Sequence, residues 1–172
     1  MEKITAHLTG EIISSNSSDA HSLYGKSCFG EPVGEKIQYS LSESMFLVEK
    51  NRMEIFSGKK KLAKQELTNK FRKIDKRFQI KYIVFCDLRE KGYIVKTALK
   101  FGADFRVYDK GNLPGREHAK WIVFADHESR RLTWQDFSAK NRVAHSTKKK
   151  LLLAIVDEEN DITYYEVGWI KP

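Results

Sequence analysis

A chain of 172 residues has room for one ordinary domain or two small ones, and with 41% hydrophobic and 12% aromatic residues it can build a packed core, which argues against a disordered polymer. A net charge of +8 favours a polyanionic partner, nucleic acid before an anionic membrane, although lysine-rich surfaces also serve solubility alone. The longest apolar runs, such as LLLAIV at 151–156, fall far short of the ~20 residues a spanning helix needs, the N-terminus lacks a signal-peptide core, and two distant cysteines without CxxC or clustered histidines argue against a disulfide scaffold or structural zinc, so a cytoplasmic protein without membrane contact is expected.

In chain order, ITAHLTGEII alternates weakly, and the Gly- and Ser-punctuated stretch to residue 40 predicts short strands and turns. Ser40-Leu-Ser-Glu43 has capping-box spacing ahead of MFLV and predicts a helix over about 41–50. MEIFSG predicts a brief strand. Leu67, Phe71, Ile74 and Phe78 fall at helical spacing in a segment whose other face is mostly basic.

The pattern changes near 78, which predicts domains at 1–78 and 79–172. QIKYIVFCDLREKG predicts a helix stopped by Gly92, and YIVKTALKFGADFRVY two strands broken near Gly102. In the second of these, Phe105 and Val107 point one way, and Asp104, Arg106 and Tyr108 the other. AKWIVFA predicts a strand buried on both faces. Thr133, with Asp136 three residues on, predicts the start of another helix. LLLAIV and ITYYEVGWI predict strands joined by the acidic turn DEEND.

The chemistry concentrates in three places. Tyr108 and His118 stand at the two rims of a turn-rich loop, DKGNLPGRE. Arg142, His145 and Lys148 to Lys150 form a basic run, with Arg142 and Lys149 on one face if the helix persists that far. Each feature has an ordinary reading: a strand aromatic, a surface histidine, a basic helix end that suits the helix dipole. Together they match what metal-free RNA cleavage requires: a base for the 2′-OH proton, an acid for the leaving 5′-oxygen, and a cation near the phosphorane. Histidine suits the acid, lysine the cation, and a tyrosine becomes a usable base only where neighbouring cations favour its phenolate.

GYIVKTALKFGADFRVYDKG, EHAKW and RVAHSTKKKLLLAIVD resemble the archaeal tRNA-splicing endonuclease (tRNA-intron lyase) family, with similarity over nearly the whole chain. The resemblance implies an α/β (α+β) protein: a small N-terminal α/β domain, then a restriction-endonuclease-like catalytic domain with a mixed sheet flanked by helices. It implies Tyr108 as general base, His118 as general acid and Lys149 as the transition-state cation. It further implies that Arg142 and Trp169 clamp a flipped bulge base, Trp169 reading equally as a core or interface aromatic. The acidic turn, Asp157, Glu158, Glu159 and Asp161, would insert into a basic groove of an opposing subunit. The implied substrate is precursor tRNA folded as a bulge-helix-bulge, with no metal or cofactor, and the implied assembly a homotetramer. The alternatives are a triad-bearing subunit that needs a scaffold partner, and a non-catalytic RNA-binding subunit. A metal-dependent nuclease would need an acidic pair with Asp/Glu-x-Lys, and Glu117-His-Ala-Lys120 is one residue too long for that pattern.

Overall fold

The alternation of ITAHLT builds strand β1 (Ile4–Thr9), with Ile4, Ala6 and Leu8 turned inward and the residues between them facing water. The structure, a computed structural model, describes residues 2–172 and divides into two units, Met1–Gln79 and Ile80–Pro172.

The first unit continues with β2 (Ile12–Ser15), α1 (Ser18–Ser27), β3 (Glu31–Val33), β4 (Lys36–Tyr39), α2 (Leu41–Glu49), β5 (Met53–Ser57), β6 (Lys60–Lys61) and α3 (Lys64–Ile74). Its sheet runs β3-β4-β2-β1-β5-β6, antiparallel except where β1 pairs with β5. The serine-rich stretch, expected as turns, opens α1 instead. Ser17 caps the Ala20 N–H, Asp19 occupies the first turn, and Cys28 ends the helix at φ 55. Serine favours turns and N-caps for the same reason, a short side chain that bonds nearby backbone, so composition alone does not separate the two.

Ser40 opens α2 with the expected capping box. Glu43, its third residue, is buried and serves twice: Oε2 accepts from the Ser40 N–H and hydroxyl, and Oε1 accepts from the Gly30 N–H. Gly30 sits at φ 76, and a Cβ there would lie 2.3 Å from Ile37 Cγ2, so only glycine fits. Glu43→Ala leaves a buried N–H unpaired and removes half the cap. We expect a loss of about 2–3 kcal/mol, read in urea as a lower midpoint with unchanged slope.

Leu67 and Phe71 are buried as their spacing predicts, but the helix does not run on to Phe78. Asp75 turns extended (φ −131) and its carboxylate accepts the Arg77 N–H, an Asx turn that breaks the helix. Phe78 then starts α4 (Phe78–Glu90) and still packs edge-on against Phe71, with ring centroids 5.3 Å apart.

Gly92, at φ 91, follows α4. Then come β7 (Ile94–Ala98), a 3-10 turn over 99–101, β8 (Ala103–Tyr108), β9 (Trp121–His127), α5 (Trp134–Ser146), β10 (Lys150–Val156) and β11 (Ile162–Val167). The second sheet runs β11-β10-β9-β8-β7, with β9 and β10 parallel and the other pairs antiparallel. A parallel pair needs a crossover, which α5 supplies. One face of the sheet packs Ile122, Phe124 and Leu151 against Ala144 and Val143 of α5. The other meets α4, where Phe105 contacts Phe85 and the Tyr164 hydroxyl donates to Asp87 at 2.6 Å. Burial, then the hydrogen bond to Asp87 and last its charge, push that phenol well above its ordinary range. Asp104 is buried and paired: its carboxylate accepts the Ala125 N–H and lies 3.4 Å from Lys81 Nζ. Both cysteines are free thiols. Among the described residues no helix is long and apolar enough to cross a membrane.

Candidate active site

Tyr108 is the last residue of β8, and the loop that follows is tied at its neck. The Lys120 N–H donates to the Val107 carbonyl at 2.8 Å, and Lys120 Nζ reaches Asp109 Oδ2 at 3.1 Å. That lysine holds the Asp109 carboxyl below the usual carboxylate range, its hydrogen bond being the largest cause. Inside the loop Gly111 and Gly115 take φ 87 and 88, a backbone open to glycine at little cost. His118 lies exposed near the far end of the loop, two residues before Lys120, and Tyr108 is buried at 5% exposure.

Lys149 arrives from the other side. The helix does not persist to it, so Arg142 and Lys149 share no helical face. Instead α5 ends at Ser146 in a Schellman turn. The Lys149 N–H bonds the Ala144 carbonyl and the Lys148 N–H the His145 carbonyl, with Lys148 at φ 55. This position normally favours glycine, and a lysine there gave the sequence no stop signal. The turn leaves Lys149 directly ahead of β10.

Strand register sets the rest. Val107 opposes Trp121, and Trp121 opposes Lys150, so one residue further along Tyr108, Lys120 and Lys149 form the next row. Neighbouring strands are ~4.8 Å apart, so this row spans about 10 Å of backbone. Arg106, Ile122 and Leu151 oppose one another on the face that α5 covers. By alternation, Tyr108 and Lys149 share that face. The Lys149 ammonium donates to the Thr147 carbonyl at 2.8 Å and lies 5.6 Å from the Phe101 ring centroid. Burial first, and then repulsion from Arg106, hold it below the usual lysine range. We expect Arg106→Gln to move the Lys149 titration only part of the way back up, because burial remains. NMR titration of the lysine side chain reads that shift.

Lys150 differs in kind. Its Nζ meets Glu166 Oε1 at 2.6 Å, and the Trp121 indole N–H donates to the other oxygen of the same carboxylate at 2.7 Å. Of the three consecutive lysines, Lys148 lies exposed at the turn, Lys150 is bound to Glu166, and Lys149 is half-buried beside the Tyr108 row. An open groove of about 740 Å³ runs past this strand end, lined by Ala119, His145, Ser146, Lys120 and Lys148 to Lys150. Of the four lysines in the lining, Lys120 is paired with Asp109 and Lys150 with Glu166, so Lys148 and Lys149 carry the positive charge that an anion would meet there.

A second pocket, of about 320 Å³, brings together Arg142 and Trp169, the two residues expected to clamp a base, along with Phe137, Ser138 and Asn141. The Trp169 indole is wedged edge-on against His145, with ring centroids 3.9 Å apart at 80°. His145 therefore stands between the two cavities. Sequence reasoning named it only as part of a basic run and passed over Ser138 and Asn141. Their spacing along α5 with Arg142 and His145 (i, i+3, i+4, i+7) was the available signal.

In the acidic turn, Asp157 Oδ1 accepts the Glu159 and Asp161 N–H groups at 2.9 Å each, so this carboxylate organises the turn. Glu158 and Glu159 project into solvent, with Glu158 3.9 Å from His127. Among the described residues no three His, Cys, Asp or Glu side chains cluster as a metal site would require.

Two family models match the chain: the N-terminal domain of tRNA intron endonuclease over residues 4–68, and its catalytic C-terminal domain over 78–164. A tRNA-splicing endonuclease from Thermococcus kodakarensis is 43% identical over 169 residues, covering 98% of this chain and 99% of its own. One from Methanothermobacter thermautotrophicus is 37% identical over 171 residues, covering 99% of each. One from Nanoarchaeum equitans is 46% identical over 138 residues, 77% of this chain and 88% of its own. With both domains matched in order and the similarity running end to end, the chain belongs to the tRNA intron endonuclease family.

Proposed function

We propose that this protein cuts precursor tRNA at intron–exon junctions folded as bulge-helix-bulge, by a transesterification that needs no metal ion. The observation that carries the reading is the row of Tyr108, Lys120 and Lys149 at one strand end, beside a groove lined by four lysines. Tyr108, as phenolate, takes the 2′-OH proton, and the freed 2′-oxygen attacks the adjacent phosphorus. Lys149 neutralises charge as the phosphorane forms. His118 protonates the 5′-oxygen as the P–O5′ bond breaks, leaving a 2′,3′-cyclic phosphate and a 5′-hydroxyl. Lys120 is tied to Asp109, which leaves Lys149 as the cation of the row.

RNA of this kind is recognised by its shape and its unpaired nucleotides more than by helical base edges. Two bulges at a fixed separation call for two rigidly held sites, so a homotetramer is the assembly we propose, with the exposed acids Glu158 and Glu159 available to a basic groove of another subunit.

The test is cleavage of a bulge-helix-bulge RNA by the purified chain alone in EDTA, with product ends identified. Cyclic phosphate and 5′-hydroxyl ends support the reading. Activity restored only by a divalent cation overturns the metal-free mechanism, and activity restored only by a second protein overturns the self-sufficient assembly.

A further inference from the structure

The second pocket holds more chemistry than a stacking clamp uses. Stacking a base needs only the Arg142 guanidinium and the Trp169 indole. Yet α5 also turns Ser138 and Asn141 into the same space, three residues and about one helical turn apart. Among the described residues the side chains of Ser138, Asn141 and Arg142 engage in no hydrogen bond or ion pair within the chain, so their bonding capacity is unspent. Phe137 completes the lining, and His145 braces the indole from behind. At about 320 Å³ the cavity lies at the small end of ligand sites, a size that suits one nucleobase.

We propose that Asn141 is a specificity-determining residue: its carboxamide reads the edge of the base held between Arg142 and Trp169 and favours adenine. This rests on the RNA reading above. Stacking alone tolerates any base, because every base has a π-face. A carboxamide instead presents an acceptor and a donor side by side. Adenine answers both, its 6-amino group donating to Oδ1 while N7 beside it accepts from Nδ2. On that edge guanine offers two acceptors, O6 and N7, so the carboxamide can make only one of the two bonds, and pyrimidines cover less of the indole. The Ser138 hydroxyl, both donor and acceptor, satisfies whichever edge atom remains.

The experiment uses the full chain in EDTA and bulge-helix-bulge RNAs blocked by 2′-deoxy substitution at the scissile nucleotides. Adenine is compared with unsubstituted purine, which lacks the amino group, at each unpaired bulge position in turn. At one position the unaltered protein should bind the adenine RNA about tenfold more tightly, the discrimination of one good bidentate pair. Asn141→Ala should bind the two RNAs alike. Because the first comparison alters only the RNA, folding of a variant does not enter it. Equal affinity of the unaltered protein for both bases at every position overturns the role of Asn141 and leaves the RNA reading standing. A preference that survives in Asn141→Ala does the same. Failure to bind any of these RNAs overturns both.

Discussion

A single 2′-deoxy substitution at the scissile nucleotide should abolish cleavage there. In the proposed mechanism the 2′-oxygen is the nucleophile, so removing it removes the bond-forming atom and no amount of transition-state stabilisation compensates. A nuclease that activates water would cut the deoxy substrate at a comparable rate, because the 2′ position takes no part in that reaction. The two outcomes differ by the whole reaction. Binding should persist, since in this mechanism the lysine-lined groove and the Arg142–Trp169 pocket would engage phosphates and a base, neither of which the substitution alters. Gel-shift affinity and single-turnover cleavage on the same RNA separate the two effects. Cleavage of the deoxy bond would end the mechanism outright.

His118→Ala should slow the chemical step roughly 10²–10⁴-fold, the usual contribution of a positioned general acid. The loop places His118 in the open, so its removal should leave folding within about 0.5 kcal/mol of the parent, and the melting temperature tests this. The role itself is tested on the leaving group. A substrate whose bridging 5′-oxygen is replaced by sulfur departs as a thiolate without needing a proton, so it should recover most of the lost rate in the variant. If the sulfur substrate is slowed as strongly as the natural one, His118 is not the proton donor.

Signals that lie within one turn of chain were the legible ones. Both capping boxes, Ser40 with Glu43 and Thr133 with Asp136, announce their helices because hydroxyl and carboxylate must stand three residues apart to satisfy the first N–H groups. The unbroken apolar run of β9 announces a strand covered on both sides. Two local devices stayed hidden because their residues have second uses: serines that cap α1 look like a loop, and Lys148 in a left-handed turn looks like continuing helix. The family resemblance named Tyr108, His118 and Lys149 together. The parallel pairing of β10 with β9, which sets Lys149 in the Tyr108 row, is a contact between distant segments that no local pattern encodes. Asn141 and Ser138 acquire meaning only when the tail brings Trp169 across them. On a helix surface alone they are two polar residues among many.

Helix α5 supports Arg142 and Asn141 along its flank and ends in the hydrogen-bonded turn that sets Lys149. Those two duties therefore hang on one short, stiff lever of 13 residues, braced on the sheet through Ala144. Fraying of its last turn would loosen nucleotide capture and ammonium placement in the same event, and a base seated in the flank would in return hold the lever still. In the proposed mechanism docking and chemistry are then mechanically linked, with no moving lid required.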